Sequence, residues 1–298
     1  MRKLLERIIP ASWSPYFLHL RPAAWAIVIA HMSVGFVIAS GFGNIAGHWR
    51  QWLLAAITWG IFGNGGTLAI NSAYDCDEGD IGYLNNPPPV PQHLARFSLI
   101  MLGIGALLSI PLGMIYLAAY MLCALLSILY SVPPVRLKAR AGFDIFINCT
   151  GYGGLTLFAG WAAAGRTIEA PIVNLFFAFF FLFMALYPLT QIYQIEEDVR
   201  RGDYTLAIAL GKKRALELAL WGVSLAFFFI GSEVFRHYFN FRSLSFLIAI
   251  SFWGFLLIPW YRKHKLWKML QEQKGFYQAL TAWAVTDLAV IISMTQLS

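Results

Sequence analysis

Residues 49–80 read WRQWLLAAITWGIFGNGGTLAINSAYDCDEGD. From Gln51 to Tyr74 there is no charged side chain, and then Asp75, Asp77, Glu78 and Asp80 arrive together. An uncharged run of this length suits a helix crossing hydrocarbon, which needs roughly 20 mainly apolar residues. The rest of the 298-residue chain agrees. Apolar residues make up 59% and charged residues 12%, with mean hydropathy +0.62; soluble domains run near 45–50% and about 25%. So few charges cannot cover a water-facing surface. A soluble enzyme, a disordered chain and a secreted disulfide scaffold are excluded, and Cys76, Cys123 and Cys149 show neither CxxC nor zinc spacing.

Nine apolar segments follow: about 23–41, 49–73, 94–112, 114–131, 144–164, 170–193, 213–234, 243–261 and 276–296. The expected fold is an all-α integral membrane protein, nine transmembrane helices around a central cavity in one domain over 1–298. Residues 1–22 form an interfacial lead-in rather than a signal peptide. Orientation comes from the 22 basic residues. With nine crossings, 18 lie on the side of the N-terminus, leaving Arg50, Arg166, Arg236 and Arg242 on the other. This places the N-terminus in the cytoplasm, of a plasma or inner membrane crossed many times.

The acids are concentrated. Eight of 15 occupy 71–80 and 194–203, each at the end of an expected helix on the cytoplasmic side. At about 100° per residue, Asn71, Asp75 and Glu78 share one face, and Gln191, Gln194 and Asp198 share another. Solvated loop starts are the plain reading. The spacing favours paired amide-and-carboxylate faces. Oxygen ligands without His or Cys suit a hard cation, and Mg²⁺ is commonly held by one or two carboxylates together with substrate phosphates. Between the two windows, Tyr130-Ser131-Val132-Pro133-Pro134-Val135-Arg136-Leu137-Lys138 offers Arg136 and Lys138 to a diphosphate; as ordinary positive-inside residues they need no ligand.

Together these pieces resemble the UbiA superfamily of intramembrane prenyltransferases. The family's Tyr-Ser-x-Pro-Pro-x-Arg-Leu-Lys loop is matched at every fixed position by Tyr130–Lys138, and its two aspartate-rich signatures resemble Asn71–Asp80 and Gln194–Asp198 with Gly202-Asp203 following. Departures stand out: Ser72 for the first aspartate, Gly79 for the last, Gln194 for the first of the second signature, and no arginine in Asn86-Pro87-Pro88-Pro89-Val90-Pro91. The resemblance implies Mg²⁺-assisted transfer of a prenyl group from a prenyl diphosphate to a lipophilic or aromatic acceptor, with no nucleic-acid partner. It implies catalytic Asp75, Asp198 and Lys138. The metal ligands would be Asn71, Asp75, Glu78, Gln194, Glu196 and Asp198, and the substrate contacts Arg21, Asn64, Tyr130, Arg136, Lys138, Asn148 and Gln191.

Asn64 lies two turns deeper than Asn71 on the same stripe. The family's 4-hydroxybenzoate branch has an arginine there; asparagine suits a neutral acceptor. Packing beside Gly63, Gly65 and Gly66 is an equal explanation. Asn148 and Tyr152 are similar handles on the fifth segment. Asp287 and Glu233 read as interhelix hydrogen-bonding groups. Two alternatives stay open: a membrane terpene cyclase acting on the diphosphate alone, and a secondary transporter, for which the glycine clusters 63–66 and 151–154 would mark broken helices.

Overall fold

The computed structural model describes residues 10–75, 81–82, 84–202 and 204–295, with backbone alone at 197, 201, 237 and 238. The described residues are helical almost throughout. A short helix α1 (Ser14–His19) leads to α2 (Pro22–Ser40). Then α3 runs over 49–75 as Trp49–Ala55, a π-helical stretch Ala56–Asn64 and Gly65–Asp75. Next come α4 (Leu94–Ser109) and α5 (Met114–Ser131). Helix α6 covers 143–163 as Phe143–Asn148, a π-helical stretch Cys149–Leu155 and Thr156–Ala163. The rest are α7 (Ala170–Ile192), α8 (Ile195–Arg201), α9 (Leu206–Glu233), α10 (Leu244–Arg262) and α11 (Met269–Met294).

Among the described residues, eight helical runs are long and apolar enough to cross a membrane, against nine expected. The difference is α6. It is helical where the fifth span was expected, but Asp144, Asn148, Thr150 and its glycines dilute its apolar content. Helix α9 starts earlier than expected and bends where Gly211 takes φ +74, a conformation glycine adopts at little cost. Helix α11 starts at Met269 because Gln271 accepts the Lys268 N–H at 2.9 Å, so its polar first turn is helix too.

In lipid the hydrophobic effect does not drive helices together, so small residues permit the close approach that does. A Cβ on Gly35 of α2 would stand 1.9 Å from the Leu157 carbonyl oxygen of α6, and one on Gly160 of α6 would stand 1.8 Å from that of Met32. Two backbones touch at both places. Gly153 of α6 meets Phe179 of α7 in the same way, and Gly222 of α9 meets Phe181 and Ala185 of α7. Helix α7 is thereby central, with Leu175, Ala178, Phe179, Leu182, Ala185 and Leu189 fully buried.

Polar groups inside the bundle are answered across helices. His31 Nδ1 meets Asp287 Oδ1 at 2.9 Å, joining α2 to α11, while its Nε2 meets the Gly153 carbonyl at 3.1 Å. Asn174 donates to Glu233 Oε2 at 2.6 Å, joining α7 to α9. Asp287 and Glu233 therefore do bridge helices. The glycine clusters of α3 and α6 do not break their helices. They fall in or beside the π-helical stretches, which widen the turn and free carbonyls. Thr156 Oγ1 takes up that of Gly151 at 2.9 Å.

Gly160→Val should lower stability by roughly 3 kcal/mol, the upper range for overpacking, because the obstacle is backbone. Gly103→Ala, where a Cβ would meet nothing within 4 Å, should be neutral or slightly stabilising. Thermal unfolding of both variants in detergent checks the contrast; equal effects would refute the α2–α6 contact.

Candidate active site

A cavity of about 200 Å³ lies among α2, α3, α4, α5 and α6, with Trp59, Asn64, Asn71, Tyr130, Asn148 and Tyr152 in its wall. None of its lining residues is Asp, Glu, Lys or Arg. The charge sits at one edge, where α3 ends. Asn71 and Asp75 lie one turn apart on an unbroken α-helical stretch, so both face the loop after α5. The Lys138 ammonium contacts Asp75 Oδ1 and donates to Asn71 Oδ1 at 3.0 Å. Ser131 Oγ donates to the same amide oxygen at 3.3 Å. Arg136 Nη2 stands 3.7 Å from Asp75 Oδ1. Asn71 thus belongs to both the ionic cluster and the cavity wall.

Two arginines here have left-handed backbone, Arg21 at φ 49 and Arg136 at φ 34, which side-chain-bearing residues rarely adopt. Arg21 is buried and donates to Ser72 Oγ at 3.0 Å, so the serine that replaces the family aspartate is an arginine partner one turn before Asp75. Deeper, the Tyr152 hydroxyl donates to Asn64 Oδ1 at 3.2 Å, linking the two π-helical stretches. Asn64 Nδ2 has no hydrogen-bond partner although Asn64 is 5% exposed. An unanswered buried amide hydrogen costs free energy. Here it borders open space that a ligand oxygen can fill.

The second window differs from its helical-wheel reading. Helix α7 ends at Ile192 and α8 begins at Ile195, so Gln191, Gln194 and Asp198 do not share one continuous helix face. Gln191 accepts the Ala207 N–H at 3.1 Å and donates to Asp144 Oδ2 at 3.5 Å. It is absent from the cavity lining. Asp198 is buried, with the Thr205 hydroxyl 3.5 Å from Oδ2. Gln194 precedes the first turn of α8. Glu196 is exposed, its charge felt by Glu272 of α11. Glu78, Asp77, Asp80 and Asp203 lie outside the described residues.

Two residues absent from the expectations belong to this region. Asp144, in the first turn of α6, is 1% exposed, and Tyr187 of α7 donates to its Oδ2 at 3.2 Å. Spacing carried a signal: Asp144 stands one turn before Asn148, and Tyr187 one turn before Gln191.

The donor set fits a hard cation. Every candidate ligand offers oxygen, and Asp75 Oδ1 with Asn71 Oδ1 already holds a cation, the Lys138 ammonium. Among the described residues no three His, Cys, Asp or Glu side chains cluster to hold a metal ion alone.

The model of the UbiA prenyltransferase family matches residues 28–281. A digeranylgeranylglyceryl phosphate synthase from Sulfolobus acidocaldarius is 27% identical over 195 residues, 63% of this chain and 69% of the relative. A chloroplastic chlorophyll synthase from Oryza sativa subsp. japonica is 28% identical over 220 residues, 67% of this chain and 55% of the relative. Two solved structures share the fold. One, from work on digeranylgeranylglyceryl phosphate synthase in membranes, has TM-score 0.75 at 20% identity, covering 95% of this chain and 98% of that one. The other, a UbiA homologue from Archaeoglobus fulgidus bound to GPP and Mg²⁺, has TM-score 0.68 at 19% identity, covering 93% and 99%.

Lys138→Met should expose a divalent-cation site. Added Mg²⁺ should raise the melting temperature of the variant by roughly 2–4 °C, the shift that about 1 kcal/mol of ligand stabilisation gives a domain of this size, and leave the original chain unmoved. Equal responses would mean that Lys138 does not occupy the metal's place.

Proposed function

This chain belongs to the UbiA prenyltransferase family, and from that premise we propose that it transfers a prenyl group from a prenyl diphosphate to a neutral acceptor, with Mg²⁺. The observation that carries the reading is the double role of Asn71. It joins a cationic cluster suited to a diphosphate to an uncharged cavity suited to the prenyl carbon and the acceptor.

Lys138 and Arg136 hold the departing diphosphate beside Asp75. Mg²⁺, when bound, neutralises charge developing on the leaving oxygens. Asn71 fixes the boundary between ion and hydrocarbon. The allylic carbon left behind is cation-like, and Trp59, Tyr120, Tyr130 and Tyr152 in the cavity wall offer ring faces to it. Asn64 turns its unpaired amide hydrogen towards an acceptor oxygen. Burial of Asp198 beside Thr205 supports a second carboxylate acting from α8. The basic-residue asymmetry supports a cytoplasmic-side site in the plasma or inner membrane.

The test is purified protein with Mg²⁺, labelled prenyl diphosphates of several lengths and an acceptor panel: geranylgeranylglyceryl phosphate, a naphthalenediol, 4-hydroxybenzoate and none. Product mass identifies both substrates. A hydrocarbon or alcohol from the diphosphate alone would establish a cyclase instead. No diphosphate release with any combination would overturn the reading. Asp75→Asn and Asp198→Asn should each lower turnover roughly hundredfold or more while the protein remains folded in the membrane. Full activity in either removes that carboxylate from the site.

A further inference from the structure

His31 stands behind the cavity wall. It is 4% exposed and is not among the lining residues, although Val28, one turn earlier on α2, is. Its Nδ1 meets Asp287 Oδ1 at 2.9 Å and its Nε2 meets the Gly153 carbonyl at 3.1 Å. A carbonyl oxygen only accepts, so Nε2 carries a hydrogen and donates it. At the other nitrogen one hydrogen lies between Nδ1 and the carboxylate, on whichever atom holds it. The rings of Phe179 and Trp283 pack against the imidazole with centroids 4.6 and 5.0 Å away. Asp287 and these rings fix the imidazole, and Nε2 is thereby aimed at α6.

Gly153 sits inside the π-helical stretch of α6. Around it Gly151, Tyr152 and Thr156 line the cavity, while Gly153 does not. A Cβ on Gly153 would stand 2.4 Å from the Phe179 carbonyl oxygen. This turn is therefore pressed against α7 and held by its own carbonyl from α2. Tyr152 is the preceding residue. Its ring stacks on Phe183 of α7 with centroids 5.6 Å apart, and its hydroxyl donates to Asn64 Oδ1 at 3.2 Å. That bond decides which end of the Asn64 amide is free. With the oxygen engaged, Nδ2, buried and without a partner, is the end presented to a ligand oxygen.

We propose that His31 is a positioning residue for the acceptor: from α2 it holds the Gly153 carbonyl, fixes the widened turn of α6 behind the wall, and so keeps the Tyr152 hydroxyl on Asn64. The proposal rests on the transfer reading above, in which Asn64 meets an acceptor oxygen. His31 touches neither substrate and acts through Tyr152. The agent is donation from Nε2 rather than the charge of the His31–Asp287 pair. In Asp287→Asn the new amide answers Nδ1 as donor or as acceptor, and Nε2 still donates to Gly153. In His31→Phe that donor is lost. Combining it with Asp287→Leu removes the carboxylate that would otherwise be left buried and unanswered. The diphosphate end of the site, where Lys138 meets Asp75, shares no residue with this chain of contacts.

A tie between helices with no bearing on the cavity makes a different forecast. The experiment is steady-state transfer by the full chain in detergent with Mg²⁺ and the prenyl diphosphates and acceptors of the panel above. It reads acceptor KM, kcat and donor affinity, with thermal melting of every variant. Asp287→Asn should keep the original acceptor KM. His31→Phe with Asp287→Leu should raise it roughly tenfold, near the upper worth of one hydrogen bond, with donor affinity unchanged and the protein folded. Tyr152→Phe should raise it similarly. Adding Tyr152→Phe to the pair variant should raise it no further, because residues that act through one contact are not additive. Full addition of the two effects, an unchanged acceptor KM in the pair variant, a matching fall in donor affinity, or activity lost only with the fold would each overturn the positioning role. Asp287→Asn as damaging as the pair variant would overturn donation to Gly153 as its agent. Absence of diphosphate release by the original chain with every combination would instead overturn the transfer reading, and this inference with it.

Discussion

Hydrocarbon offers no hydrogen bonds, and this chain is organised around that constraint. A polar group carried into the bundle needs a partner, on its own helix or on another, because an unanswered one costs several kcal/mol in such a medium. His31 is answered from two sides, by Asp287 and by the Gly153 carbonyl. Asp144 is answered by three donors. Glycine–backbone contacts between α2 and α6 and around α7 bring the helices close enough for these short bonds to be made. Packing and polar satisfaction are therefore one arrangement.

Against that background, Asn64 stands out, a buried amide nitrogen without a partner beside a cavity. The ionic groups are kept separate from it. Lys138 and Arg136 meet Asp75 only where α3 ends, and the wall beyond is neutral. A molecule with a charged head and an oily tail matches this division, head at the ion cluster and tail among aromatic rings. The left-handed backbone at Arg21 and Arg136 places strain at the charged edge, where such strain commonly serves function.

Much of this was readable from sequence, and the exceptions have physical causes. Asn71 and Asp75 could be placed together because they lie on one uninterrupted α-helical stretch, where 100° per residue holds. The Tyr130–Lys138 loop was recognisable because proline fixes local geometry and the two cations follow at set distances. The same helical arithmetic failed from Gln191 to Asp198, because the helix ends at Ile192 and restarts at Ile195, resetting the phase. Asp144 is a lone acid at the head of an apolar run and was not among the expected site residues. Its partners Tyr187 and Gln191 come from another helix; the one-turn spacings Asp144–Asn148 and Tyr187–Gln191 put each pair on one face, but spacing within a helix does not say which face meets which. The helix count differed for a related reason: the glycine and polar residues that α6 presents to the cavity wall, among them Asn148, Gly151 and Thr156, also make it look less like a membrane span.

The π-helical stretch of α3 carries a geometric consequence. A π turn holds an additional residue relative to an α turn, so the two halves of α3 are rotated against each other. Wound as α-helix with every residue of 56–64 kept, the stretch would turn the terminal half by roughly 100° from where it stands. Asn71 would turn out of the cavity and Asp75 away from Lys138. The widened stretch acts as an angular setting, and the aim of the ionic edge is stored in backbone length as much as in the identity of the residues that perform the chemistry.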